Sequence, residues 1–573
     1  IWKDELFLEV HHGCQTTLYR LKKQNRLAEI NMQIFEKMSL LASSFGFNFP
    51  KDEYDNVWKK ILFNHFHDIL PGSSIQEVYE DSDRDFADYF PKLLKWQKEV
   101  FDTIAANGYF SLESRSLLVF FPIPTDRIHK VPYNYREYDS LFPQLPEYIF
   151  LKPNRENTIG FEKVKREDFE KIEKESKKIE YERKENYIKI YHTRFICEID
   201  TTKGVIKSLI INENGLELAD PKGKGINILK IFHDLPKGND AWNLEPDYRD
   251  HELELIEINT HQIYESQNGI IIEFNIKVGD QSNGRLIYEF FPLIDFIDVH
   301  FEIDWKEEHK LLRTEFETNI KSEHYRTGQP YGSIIRNTQP KMPLELGKWE
   351  VPGQYFIEMH EENGKGLAVF VKNRYGFDCQ GSRFGISLLR APSFEPPDKS
   401  ACKWYDPSTL PNRLKIKDQG HHILDWAIFP FIAHKDNENI YTKAIEYTYF
   451  PIFQEFNEKF KSNSLYNQIN SEIEGFTIDN PNIFFSVVKF HYDFPKERGI
   501  ILRFIELEGK KSSFSVRCPR YLEITEIKKI DLLELKSQRD QSLIVESIEN
   551  NAAIALRSEI KPFEISTYFL KLS

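Results

Sequence analysis

From residue 16 to 108 the apolar positions recur at three- and four-residue steps. Leu27, Ile30, Ile34, Met38 and Leu41 share one helical face, and the stripe ends at Ser43, Ser44, Phe45 and Gly46. A second helix is predicted over 51–69, stopped by Pro71 and Gly72. Ser73 and Ser74 stand three residues before Gln76 and Glu77, the spacing of a capping box, which opens a third helix carrying Val78, Tyr79, Phe86, Leu93, Leu94 and Phe101. Pro91 is expected to kink or split that helix. Three consecutive helices with short connections predict an antiparallel three-helix bundle.

After Asn107 and Gly108 the period shortens to two. Ile270, Ile272, Phe274, Ile276 and Val278 alternate cleanly, as do Ile297, Val299, Phe301, Ile303 and Trp305, each the pattern of a strand with one buried face. Many such runs between turns predict large antiparallel β-sandwich domains. Between Glu162 and Glu185, 18 of 24 residues are charged, nine of each sign, with Phe169, Ile172 and Ile179 at helical spacing, which reads as a solvated helical insertion or linker. The fold class is therefore multidomain, α then β: a helical bundle over 16–108, a small β domain with the charged insertion over 109–185, a large β-sandwich over 186–454 and a C-terminal β domain over 455–573. Residues 5–10, at the head of the chain, read as a further strand.

Composition supports a chain with real cores. The 573 residues suggest about three or four domains, and 40% hydrophobic with 14% aromatic content excludes disorder. The net charge of −14 makes nucleic acid an improbable partner. No run is long and apolar enough for a membrane helix, and the first residues lack the basic and apolar regions of a signal peptide. Five scattered cysteines without a CxxC pair point away from a disulfide framework or cysteine zinc site and toward a reducing compartment. No GxSxG, P-loop or Rossmann glycine pattern stands at a strand–helix junction.

The densest candidate for chemistry is the stretch from Asn64 to Ser74, NHFHDILPGSS. Positions two apart on a helix lie about 200° around its axis, so only one of His65 and His67 can face a given metal ion. His67 and Asp68 fall just before the Pro71–Gly72 break, where side chains can project past a helix end into a cleft. Taken alone, a histidine on an aromatic-rich helix is more often a packed core residue than a ligand. His324, His421 and His422 lack companions at metal spacing and read as ordinary core or surface residues.

That stretch resembles the N-x-F-H-D-I-L-P-G-S-S segment of glycoside hydrolase family 38, the class II α-mannosidases. Upstream, residues 5–17 (ELFLEVHHGCQTT) resemble the family's E-L-Y-L-E-x-H-R-G-T-Y-T-T, with His12 in place of arginine and Cys14 in place of threonine. Downstream, Asp240 to Asn243, Asp304 with Trp305, Glu308 to Leu311 including His309, Pro330 to Gly332 with Ile334, Arg374 to Gly376, Leu388 to Pro392 and Asp418 to His421 follow the family's order. The markers favour the archaeal and cytosolic branch.

The resemblance implies a galactose mutarotase-like supersandwich for the large β domain, a cytoplasmic location, and a zinc-dependent retaining α-mannosidase hydrolysing terminal α-D-mannosyl residues. The family's single zinc, or another divalent metal, is held by an aspartate and a histidine of an early motif, by the nucleophilic aspartate and by the histidine of the His-Asp pair. His67 matches the last of these. Asp68 matches the aspartate that hydrogen-bonds sugar hydroxyls, His11 a position lining the sugar subsite, and Arg390 is carried over as a substrate contact reaching in from the β domain, beside the stronger reading of a structural salt bridge. The family's N-terminal α/β catalytic domain has no counterpart here beyond its end at 1–15, so the nucleophile, the acid/base and the remaining zinc ligands are expected outside this chain, which should be inactive alone. Retaining hydrolysis needs two carboxyl groups about 5 to 5.5 Å apart, and zinc needs three or four protein ligands. Expected partners are α-mannosides, the N-terminal catalytic portion and, through an apolar face around the first 80 residues, a further copy of the chain in a homo-oligomer. Two other readings stand beside this one: a noncatalytic carbohydrate-binding or scaffolding β protein, and a mannosyl-glycerate hydrolase.

Overall fold

The first helix, α1 (Tyr19–Ser43), is followed by α2 (Lys51–Asn64) and α3 (Gln76–Asn107), and the three pack on one another. The structure, a computed structural model, describes residues 5–7, 10–107, 116–132, 148–362, 364–394, 416–433, 439–456, 473–534 and 555–573. On α1 the predicted positions Ile30, Ile34, Met38 and Leu41 are buried, but so are Met32, Phe35 and Leu40 on its other faces. The cause is a second layer: α1 also packs against the strand Ile483–Phe490. Helices and C-terminal strands thus share one core, in which Phe35, Phe101, Phe485 and Phe504 are fully buried. α3 runs unbroken with Pro91 inside it, so of the expected kink or split the split does not occur.

Two large antiparallel sheets, of eleven and nine strands, face each other across a second core. Both runs predicted from alternation are strands of the nine-stranded sheet, Gly269–Val278 and Ile297–Trp305, and their alternate side chains point into that core. Antiparallel register places Val299 opposite Trp426, pairing two bulky buried side chains. A six-stranded sheet joins distant segments: Ser116–Phe121 pairs with both Ile452–Phe456 and Thr158–Lys165, and Phe476–Ile478 pairs with Thr158–Lys165. The region 116–165 therefore shares a sheet with the C-terminal segment. A four-stranded sheet completes the C-terminal part. The charged stretch contains a helix, Arg166–Glu175, between strands, and Ile179 beyond it is buried.

The predicted strand over 5–10 is absent at the described residues 5–7 and 10; residues 8 and 9 lie outside the described set. Glu5 is held by the Arg336 guanidinium, at 2.8 and 2.7 Å, and by Lys348 at 2.9 Å. A fixed side-chain ion pair replaces the backbone ladder the pattern suggested.

Candidate functional site

α2 ends at Asn64, five residues before the predicted end, and the chain continues to Gly72 in tight turns closed by bonds such as Ile69 N–H to Phe66 O (2.9 Å) and Gly72 N–H to Ile69 O (2.9 Å). His67 and Asp68 therefore stand on a turn beyond α2 and not within its last turn. At this end the backbone bonds shorten to His65 N–H to Leu62 O and Phe66 N–H to Phe63 O, and Asn64 is buried, accepts from the Ser82 hydroxyl of α3 and donates to Lys60 O at 3.0 Å.

The two histidines of the stretch part company. His65 turns inward, its Nε2 3.0 Å from Glu29 Oε1 on α1. Burial raises the Glu29 carboxyl, but His65 and Arg26 outweigh it and hold the group below its ordinary range. His67 turns outward, 77% exposed, with Nε2 3.4 Å from Asp68 Oδ2 and its ring 4.1 Å from that of Phe66. Asp68 is held from behind: its backbone carbonyl accepts from Tyr79 Oη at 3.2 Å, and Ser73 Oγ lies 3.4 Å from both that carbonyl and Oδ1. The imidazole and carboxylate thus point to solvent from an anchored backbone.

The second motif segment forms a short 3₁₀ turn, His12–Gln15, directly after His11, whose φ of 69° reverses the chain. His11 is exposed, its ring centroid 6.5 Å from that of Trp242. His12 is buried, stacked on Trp349 at 4.0 Å, with Nδ1 2.8 Å from Glu350 O. The two segments meet at Gly72 and Thr17. Gly72 has φ +89°, and a Cβ there would stand 2.7 Å from Thr17 O, so only glycine permits this approach. The Cys14 thiol, pushed up by burial, feels Lys22, Arg390, Asp68 and Lys417, which places these groups around the junction.

Arg390 is 0% exposed and salt-bridged to Asp234, the structural alternative to the expected substrate contact. Its guanidinium forms a forked pair with Asp234, at 2.6 and 2.9 Å, and donates to Thr17 Oγ1 at 2.8 Å and Asn243 O at 2.7 Å. A Cβ on Gly13 would lie 2.0 Å from Arg390 Nη1. The arginine is the floor under the His11–Thr17 turn. Around it gather markers that look unconnected in sequence: Asp240 accepts from Ser393 N at 2.8 Å and pairs with His309 at 3.3 Å, which holds that imidazole above its usual range.

Among the described residues, one group of side chains has metal-like spacing: Glu289, Asp298 and His300, with ligand atoms within 4.8 Å of one another. That space already holds a cation. The buried Lys130 ammonium contacts both carboxylates, and His300 pairs with Asp425 at 2.6 Å and Glu289 at 3.3 Å. It is an internal charge network. His67 with Asp68 can offer a metal one imidazole and one carboxylate, part of a zinc sphere and not the whole of one. Composition could have flagged neither Arg390's burial nor Thr17's role; what the sequence did carry was the motif order.

Comparisons with known proteins bear on the family and the fold. Residues 9–104 match the alpha mannosidase middle domain, 190–400 the glycosyl hydrolases family 38 C-terminal domain, and 493–568 that family's C-terminal beta sandwich domain. An alpha-mannosidase of Saccharomyces cerevisiae is 24% identical over 603 residues, covering 99% of this chain and 48% of its own length. Alpha-mannosidase 2C1 of Homo sapiens is 24% identical over 548 residues, covering 89% and 45%. The chain thus spans about half the length of the curated relatives it matches. A solved alpha-mannosidase structure from Enterococcus faecalis superposes with a TM-score of 0.72 at 12% identity, covering 98% of this chain and 68% of that one. A second structure, of a glycosyl hydrolase family 38 protein from the same organism, gives 0.69 at 12% identity, covering 98% and 71%. At that identity the likeness is one of fold.

Proposed function

Because the chain belongs to glycoside hydrolase family 38, we propose that it supplies one face of the active site of a zinc-dependent retaining α-mannosidase. In this reading His67 is one ligand of a single zinc or other divalent ion, Asp68 accepts hydrogen bonds from sugar hydroxyls, and His11 lines the sugar subsite. The three helices are the family's middle bundle, and the two large sheets its mutarotase-like supersandwich. Arg390 serves as a positioning residue beneath His11 and Thr17.

The observation that carries the proposal is the pairing of an outward imidazole and carboxylate, His67 and Asp68, on a turn tied to the segment bearing His11. One imidazole cannot by itself hold zinc, and in this reading the two carboxyl groups that retaining chemistry requires are not assigned to these residues. The remaining ligands, the nucleophile and the acid/base therefore come from outside these residues, from a portion like the half of the curated relatives that this chain does not match. When bound, zinc would polarise hydroxyls of the sugar. The chain's own groups orient that sugar: Asp68 as an acceptor fixed by Ser73 and Tyr79, His11 beside Trp242. Exposed Leu62, Phe63 and Phe66 flank His67 and form the apolar surface such a portion would cover.

The test is addition. The chain alone should release no p-nitrophenol from p-nitrophenyl α-D-mannoside. A polypeptide that also carries the upstream portion should do so in a zinc-dependent way. Turnover by the chain alone would contradict the proposal.

A further inference from the structure

The turn bearing His67 and Asp68 is held from beneath by a lysine that no motif pointed to. Lys22, in the first turn of α1, is 5% exposed. Its ammonium donates to Thr17 O at 2.6 Å, Leu70 O at 2.9 Å and Pro71 O at 3.1 Å. All three hydrogens go to backbone carbonyls. Its charged neighbours Asp418 and Arg390 act on it only through space, and burial pushes its pKa down to about 8.

Burying an ammonium without a carboxylate costs several kcal/mol. A methionine would fill the same volume without that cost. What the ammonium does, and a methionine could not, is join carbonyls on two chain segments from one tetrahedral centre. Those segments carry His11 and the His67–Asp68 turn. A second buried ammonium works from the other side: Lys417, 0% exposed on the sandwich, donates to Ser74 O at 2.8 Å. Gly72 lies between these two anchors, pressed against Thr17 O.

We propose that Lys22 is a positioning residue that keeps the His67–Asp68 turn in register with the His11–Thr17 turn by gathering the Leu70, Pro71 and Thr17 carbonyls. The purpose of that register rests on the mannosidase reading. The register itself is a property of this chain and can be tested without any substrate.

The experiment is amide hydrogen exchange on the full chain, comparing wild type with Lys22→Met and Lys22→Arg. Lys22→Met is expected to speed exchange at Leu70, Gly72 and Thr17 at least tenfold, with the amides of residues 30–43 of α1 unchanged. Arginine keeps the charge and several donors but in a planar fork, so Lys22→Arg should show a smaller rise, about threefold, in the same places. If Lys22→Met fails to fold, Lys22→Arg carries the test alone. Wild-type exchange in both turns, or a rise spread along all of α1, would overturn the proposal. In a polypeptide with the upstream portion, Lys22→Met should raise KM for p-nitrophenyl α-D-mannoside about tenfold. If wild type shows no turnover there, the mannosidase reading fails while the exchange result still decides the role of Lys22.

Discussion

The Asp418 carboxylate accepts the Tyr19 amide at 2.6 Å and the Arg20 amide at 3.2 Å, so a residue of the large sandwich caps a helix that begins 399 positions earlier in the chain. Asp418 sits at φ 62° and its carbonyl lies 2.6 Å from His422 Nε2. The next residue back, Lys417, reaches the Ser74 carbonyl. One sandwich loop thereby sets where α1 starts and where the turn bearing His67 ends.

Asp418→Ala should remove the cap and cost about 1 to 2 kcal/mol. Urea unfolding followed by circular dichroism measures this, and Asp418→Asn, which keeps one acceptor oxygen, should recover about half. An unchanged midpoint for Asp418→Ala would show that the cap contributes nothing.

Arg390 and Asp234 are both buried, and each is the other's main counter-charge. Arg390→Met should destabilise by about 3 to 5 kcal/mol, because it leaves a buried carboxylate unpaired. The double variant Arg390→Met/Asp234→Leu should be less damaged than the single one. With the Asp234→Leu single variant completing the cycle, losses in chemical unfolding that simply add would mean the pair is not coupled.

Burial pushes His129 and His192 down to about 4. The unfolded chain binds their protons from about 6.5 downward while the folded chain does not, so their contribution to stability is lost as pH falls. Between pH 6.5 and 4.5 the loss should reach about 2 to 3 kcal/mol for each. His300 has the opposite sign: against its burial, Glu289 and Asp425 hold it up to about 10, so its contribution is full below 6.5 and fades toward pH 10. Unfolding free energies across pH 4.5 to 10 should therefore fall away on both sides. Replacing His129 and His192 by Gln should flatten the acid limb.

Phe63 is 69% exposed on the last turn of α2. Phe63→Asp should leave stability within about 0.5 kcal/mol of wild type and weaken binding to a separately supplied upstream portion at least tenfold. Isothermal titration calorimetry reads both partners directly, and undiminished binding would remove Phe63 from the proposed contact.

Much of this was legible in the residues. Alternation located the strands through Phe274 and Phe301, because alternate residues of each enter one core, while it did not show that Ile271 on the other face of the first joins a second cluster with Phe150 and Phe291. The stripe through Ile30 and Met38 located α1 but understated its burial, since nothing local shows that Ile483–Phe490 will cover its other side. The end of α2 comes earlier than the apolar pattern suggests, since the backbone past Asn64 goes over to three-residue turns although Phe66 and Ile69 keep the apolar spacing. The motif around His67 was visible as a pattern, and the structure separated His65 from His67 by giving the first to Glu29. Arg390 could be read from its motif as a salt bridge or a substrate contact, but its partner, Asp234, 156 positions away, could not. Lys22 carried no signal, because an inward lysine in a first helical turn looks like any surface lysine.

The most direct test is zinc-dependent hydrolysis of p-nitrophenyl α-D-mannoside by a polypeptide that joins this chain to its upstream portion, wild type against His67→Ala. Wild type should show activity that chelation removes and zinc restores, and His67→Ala a loss of more than about 100-fold. Full activity in His67→Ala, or sugar release by these 573 residues on their own, would contradict the proposed function.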